Sequence, residues 1–141
     1  MIAGKVIHAM KKSHIASYEN SDRDALAESD DPHALIEVLL NELVRHMQSF
    51  LHHFEGDQEA QVKRNTHFSK SLSIIYALQK SLDFDNGGEV AESMFRIYEF
   101  AKQTLLKTYR TSEKAGTEQA IQSLKEILEA WKQIKPGAAA E

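Results

Sequence analysis

Apolar residues recur every three to four positions along four separate stretches of this chain, and residues that start or stop helices bound each stretch. The first runs from about Pro32 to Phe54, with Asp31 as N-cap, Pro32 at the first helical position and Gly56 as its stop. The second runs from about Gln58 to Leu82, behind Asp57 as N-cap, and Asp85, Asn86, Gly87 and Gly88 then break the pattern. The third covers about Glu89 to Arg110. Gly116 separates it from the fourth, about Glu118 to Ile134, with Thr117 as N-cap and Pro136-Gly137 as the stop. No run alternates strictly between apolar and polar residues, so no strand is expected.

Four helices of roughly 17 to 25 residues joined by short loops pack as antiparallel neighbours. The expected fold is all-α: an antiparallel up-down four-helix bundle with a loosely attached N-terminal segment or short helix. The helices would be roughly 25 to 37 Å long at about 1.5 Å per residue. Residues 2–17 carry a weak helical pattern, and 19–31 are acidic and poor in bulky apolar groups. The chain is thus divided into an N-terminal segment and acidic linker (1–31), the bundle (32–135) and a frayed tail (136–141).

Composition narrows the function classes. A chain of 141 residues suffices for one domain with a real core, and the absence of cysteine excludes disulfide and thiol chemistry. The net charge of −4 supplies no basic stripe for nucleic acid and no Lys/Arg excess for a membrane surface. No apolar run approaches the length of a membrane span, and Lys5 and His8 interrupt any apolar region at the N-terminus, so a cytoplasmic protein is expected.

The helices differ in how much apolar surface they carry. In the fourth, Ile121, Leu124, Ile127, Leu128, Trp131 and Ile134 fall within one arc of roughly 140°, what a core-facing helix needs. The first has two seams: Ile36, Leu39, Leu43, Phe50 and Phe54, and beside them Leu40, Val44, Met47 and Leu51. In the second, Ile74 and Tyr76 flank the core seam, and in the third Phe95, Phe100 and Leu106 lie outside it. Two accounts fit this surplus. Either the N-terminal segment or plain surface scatter accommodates it, or it forms a groove that receives apolar anchors from a partner segment. On the second account Leu40, Val44, Met47, Leu51, Ile74, Tyr76, Phe95, Phe100 and Leu106 are the partner-binding residues.

Catalytic and metal chemistry find no footing. Glu42, His46 and His53 share a border of the first long helix, but Glu42 and His46 are one residue too far apart for a Glu-x-x-His pair, and no such pair occurs in the chain. His52 and His53 point about 100° apart on a helix. Ser13, Ser49, Ser69 and Ser73 lie outside any nucleophile-elbow motif, and Gly87-Gly88 lacks the lysine of a phosphate loop. No enzyme activity, metal or cofactor is expected.

Several short segments resemble the FliS family of flagellar secretion chaperones. Asp31-Pro32-His33-Ala34-Leu35-Ile36 resembles its Ser-Pro-x-x-Leu-Ile opening. Leu82-Asp83 followed by Gly87-Gly88-Glu89-Val90-Ala91 is similar to its Leu-Asp…Gly-Gly-Glu-Ile-Ala turn, Ile97-Tyr98-Glu99-Phe100 to its Leu-Tyr-Asp-Tyr stretch, and Ala130-Trp131 to its closing Ala-Trp. The chain departs from the family at Val38-Leu39-Leu40-Asn41-Glu42, where Met-Leu-Tyr-Asp-Gly is usual. The resemblance implies a cytoplasmic chaperone without cofactors that binds the disordered C-terminal segment of flagellin, prevents premature polymerisation and delivers flagellin to the export apparatus. It also singles out Tyr18, where the family carries an N-terminal tyrosine. The segment around Tyr18 would either shield the groove or join the binding surface, since the linker can span about 40 Å when extended. The rival expectation is a helical scaffold or regulatory adaptor for another protein.

Overall fold

The computed structural model describes residues 31–134. Tyr18, the expected short helix and linker upstream, and the tail at 136–141 lie outside the described residues. Four helices make up the described chain: α1 (Pro32–His52), α2 (Gln58–Lys80), α3 (Phe84–Thr111) and α4 (Ala115–Lys132). There is no strand among the described residues, and no described helix is long and apolar enough to cross a membrane.

The caps at the first two helices are those the sequence marks. The Asp31 carboxylate accepts from the Ala34 N–H at 3.1 Å, with Pro32 beginning the helix, and the Asp57 carboxylate accepts from the Ala60 N–H at 3.0 Å. Each satisfies one of the N–H groups that a helix start leaves without a partner.

The other two starts differ from expectation. α3 begins at Phe84 rather than near Glu89, because Asp83 caps it through the Asn86 N–H at 3.2 Å. The Gly-Gly pair lies inside the helical run as a kink. Gly88 has φ 51° and ψ −126°, a conformation that side chains resist. α4 begins at Ala115, upstream of Thr117, and the Lys114 side chain at its cap position bonds none of the helix's first N–H groups. Thr117 is not a cap. Its buried hydroxyl lies 2.7 Å from the Thr108 hydroxyl and 3.0 Å from the Thr104 carbonyl, tying α4 to α3. Gly116 is likewise not a separator but a helical residue of close approach. A Cβ there would stand 2.8 Å from Thr104 Cγ2.

Each helix has two principal neighbours: α1 packs on α2 and α4, and α3 packs on α2 and α4. Contacts in opposing order show the antiparallel sense of α2 and α3. Asn65, in the first half of α2, accepts from the hydroxyl of Tyr109, late in α3, at 2.9 Å, and the Tyr109 ring stacks on Phe68 with centroids 4.4 Å apart, whereas Gln79, near the end of α2, donates to Glu99 midway along α3 at 3.0 Å.

His33 and Trp131 join the start of α1 to the end of α4. Their rings stack at 4.8 Å and 13°. His33 Nε2 donates to the Trp131 carbonyl at 3.1 Å, and Trp131 Nε1 donates to the His33 carbonyl at 2.9 Å.

The core is one continuous apolar cluster contributed by all four helices, among them Leu39, Leu43, Phe50, Ile75, Leu78, Leu105, Leu124 and Trp131. Two polar atoms lie within it unpaired, Ser71 Oγ and the Tyr98 hydroxyl. Burial pushes the Tyr98 hydroxyl far above the usual tyrosine range, so it stays neutral.

Candidate partner-binding surface

The apolar residues that the sequence assigns to partner binding divide into two groups. Leu40, Met47 and Ile74 have no exposed surface and are part of the core cluster. In the conformation described they belong to the interior and not to an open seam. The physical reason lies in the position of α1 between two neighbours. Phe50, on its first seam, meets Phe68 of α2 at 5.6 Å between centroids, while Val44, on its second, faces Leu128 of α4 across a groove. A helix packed on two sides buries two seams, so its surplus is absorbed by the fold.

Val44 is also buried in the core cluster, although it lines a groove, and the other candidates reach the surface. Tyr76 of α2 is 61 % exposed, with the Lys80 ammonium 5.3 Å from its ring centre. On α3, Phe100 is 42 % and Phe95 38 % exposed. Leu51 and Leu106 are half-buried, with Leu51 packed against the core. Phe84, Val62 and Tyr109 are also exposed aromatic or aliphatic groups that the sequence reasoning did not assign. Phe84 and Phe95 meet edge to face at 6.0 Å. Their spacing of eleven residues, near three helical turns, is a signal for one shared face, but it is legible only if α3 is begun ahead of the glycines.

Two grooves flank α4. One, about 310 Å³, runs along the α3–α4 seam. Phe100 forms one wall, Ala115 and Gly116 keep the opposite side shallow, and Lys107, Glu113 and Gln119 line its rim. The other, about 570 Å³, lies between α1 and α4, with Val44 and Leu128 on its floor and Asn41, Lys125, Glu126 and Glu129 around it. Apolar floor and polar rim are what an amphipathic helix needs from a groove: anchors bury, and flanking charges find partners.

Next to Phe100, Glu99 is locked on the bundle surface. Hydrogen bonds from Gln103 (2.9 Å) and Gln79 (3.0 Å), with Lys102 at 3.0 Å, hold its carboxyl down to about 2. The Gln79 contact clamps α2 to α3 and fixes the orientation of the helix that presents Phe95 and Phe100.

His46 meets His67, a residue the sequence reasoning passed over, at 2.9 Å between Nδ1 atoms, and the His53 ring stacks on His67 at 5.8 Å. Among the described residues no group of three or more metal-ligating side chains is placed to hold an ion.

Among the described residues the arrangement is an antiparallel bundle with exposed aromatic side chains on α2 and α3 and a groove on either side of α4. The chain belongs to the FliS family of flagellar proteins, whose family model, described as "Flagellar protein FliS", matches residues 14–138. The flagellar secretion chaperone FliS of Salmonella typhimurium strain LT2 is 31 % identical over 131 residues, covering 90 % of this chain and 93 % of that protein. The flagellar secretion chaperone FliS of Vibrio cholerae serotype O1 is 22 % identical over 126 residues, covering 89 % of this chain and 90 % of that protein. The flagellar secretion chaperone FliSB of Pseudomonas aeruginosa is 23 % identical over 125 residues, covering 89 % and 96 %.

Proposed function

We propose that this protein is a flagellar export chaperone that holds the disordered C-terminal segment of flagellin in the cytoplasm, prevents its premature polymerisation and passes it to the export apparatus. The observation that carries this reading is the exposed aromatic pair Phe95 and Phe100 on α3, with an open groove beside Phe100, in a chain of the FliS family. Large apolar side chains on the surface of a monomer are an aggregation liability unless a partner covers them. A client tail that is disordered alone folds as it binds, laying apolar residues at helical spacing into the grooves on either side of α4. Leu51, Tyr76 and Leu106 extend that surface, and Val44 supplies part of a groove floor. No catalytic step, metal or cofactor enters this scheme.

Tyr18 belongs to the same proposal as a residue that either covers the surface before the client arrives or contacts the client directly. Deleting residues 1–18 separates these roles: covering predicts tighter client binding and a more aggregation-prone free protein, and direct contact predicts weaker binding. Unchanged affinity and solubility would remove Tyr18 from the site.

Calorimetric titration with a flagellin C-terminal segment tests the central claim. Binding with a negative heat-capacity change, the signature of buried apolar surface, is expected. No binding at tens of micromolar segment would refute the reading and favour an adaptor for a different protein.

A further inference from the structure

His46 on α1 and His67 on α2 face each other across the hairpin with their Nδ1 atoms 2.9 Å apart. A hydrogen bond between two imidazole nitrogens needs one with its proton and one bare. The Arg45 guanidinium, which can only donate, lies 3.5 Å from His46 Nε2, which favours a bare Nε2 on His46 and a proton on its Nδ1, with His67 Nδ1 as the acceptor. Whichever ring donates, the contact needs one bare Nδ1, and a proton on both leaves two N–H groups pointed at each other.

The surroundings oppose that proton in the closed state. Burial acts first on His67, followed by the positive fields of His53, Arg45, Lys70 and Lys63, and together they lower its pKa from the ordinary histidine value. The other charged groups at this end are engaged. Glu59 pairs with Lys63 at 3.4 Å, Glu55 pairs with Lys114 at the start of α4 at 3.3 Å, and Arg64 reaches the Phe54 carbonyl at 3.5 Å. Glu42 lies one turn before His46 on α1 and also has an interaction partner. From α3, the Tyr109 hydroxyl is held by Asn65. The contact is adjacent to the aromatic joint of the hairpin, where Phe50 meets Phe54 at 5.5 Å and Phe68 at 5.6 Å. Neither α3 nor α4 contains a histidine.

We propose that the His46–His67 contact is an acid-sensitive latch that holds the α1–α2 hairpin closed and releases that half of the bundle selectively when both facing Nδ1 atoms carry a proton. A histidine whose folded-state proton affinity is depressed contributes stability in full above its ordinary pKa of about 6.5, and loses it as pH falls below that value toward the folded pKa. Acid thus loosens the α1–α2 seam and its phenylalanine joint, while the α3–α4 half, without a titrating imidazole, stays packed.

Amide hydrogen exchange on the full chain at pH 7.5 and 5.5, corrected for intrinsic rates, tests this together with an imidazole nitrogen titration. Protection of the α1–α2 amides around His46 and His67 is expected to fall between pH 7.5 and 5.5, with the α3–α4 amides unaffected. His67→Gln, whose amide oxygen accepts from His46 without titrating in this range, is expected to abolish the difference, and the exposed His52→Gln to retain it. Equal loss of protection in both halves, or undiminished pH dependence in His67→Gln, would overturn the latch. Should His67→Gln fail to fold, the half-to-half contrast in the unsubstituted protein decides alone.

Discussion

The pairing of His33 with Trp131 is a point where the cost of disruption can be worked out bond by bond. Both residues are buried, and two reciprocal hydrogen bonds and a ring stack connect them. Trp131→Phe removes the indole N–H that reaches the His33 carbonyl, a bond worth about 1 kcal/mol net. The smaller ring also forfeits buried area, so about 1.5–2.5 kcal/mol is expected in all. Complete truncation in Trp131→Ala should cost about 3–5 kcal/mol, a large share of the roughly 5–15 kcal/mol that holds a domain together. His33→Ala loses the Nε2 bond and the stack, about 1–2.5 kcal/mol. Each hydrogen bond runs from a side chain to the other residue's backbone. The Trp131 bond therefore survives in His33→Ala, and the His33 bond survives in Trp131→Phe. A double-mutant cycle of His33→Ala with Trp131→Ala, which removes both rings, isolates the side-chain pair, and its coupling should equal the stacking contribution alone, about 0.5–1.5 kcal/mol. Urea unfolding followed by far-UV circular dichroism measures all four proteins, since fluorescence would lose its only tryptophan. Single costs below about 0.5 kcal/mol, or a coupling indistinguishable from zero, would refute the reasoning.

Phe100→Ala should weaken flagellin-segment binding by about tenfold or more and shift unfolding stability by no more than about 0.5 kcal/mol; Leu40→Ala should instead cost about 2–5 kcal/mol of stability. Comparable destabilisation by the two would argue that Phe100 serves the core. Gly116→Ala should destabilise by about 1–3 kcal/mol by driving its Cβ into Thr104, and Thr104→Ser, which removes the clashing methyl, should recover part of the loss; no recovery would exclude the steric account. Glu99 has a depressed carboxyl pKa, so its contribution to stability is present above the ordinary carboxylate range and is lost as pH falls through that range toward about 2. An acid titration by circular dichroism should show a shallower loss of stability for Glu99→Gln in that window, and an identical slope would disprove the clamp.

The chain's local grammar is legible because it acts over a few residues. Asp31, Pro32 and Asp57 can only begin helices where they stand, since a carboxylate caps an N–H three residues on and proline fixes the backbone of the first turn. Apolar spacing in turn determines four helices and, with short loops, their antiparallel order. That much followed from the amino-acid sequence by itself, and so did the family resemblance, which rests on short segments in a fixed order. What the sequence could not rank is burial, because burial depends on which helices arrive on either side. The double seam of α1 has the pattern of a surplus, yet Leu40 and Met47 are wholly buried and Val44 lines the groove toward α4, while Phe95 and Phe100, no more apolar, stay open. Thr117 has the pattern of a cap, but the close passage of Thr104 and Thr108 converts it into a cross-helix link. The His46–His67 contact and the His33–Trp131 pair join residues 21 and 98 positions apart, and only the tertiary structure, by folding the hairpin and closing the bundle, brings those side chains within a hydrogen bond's reach.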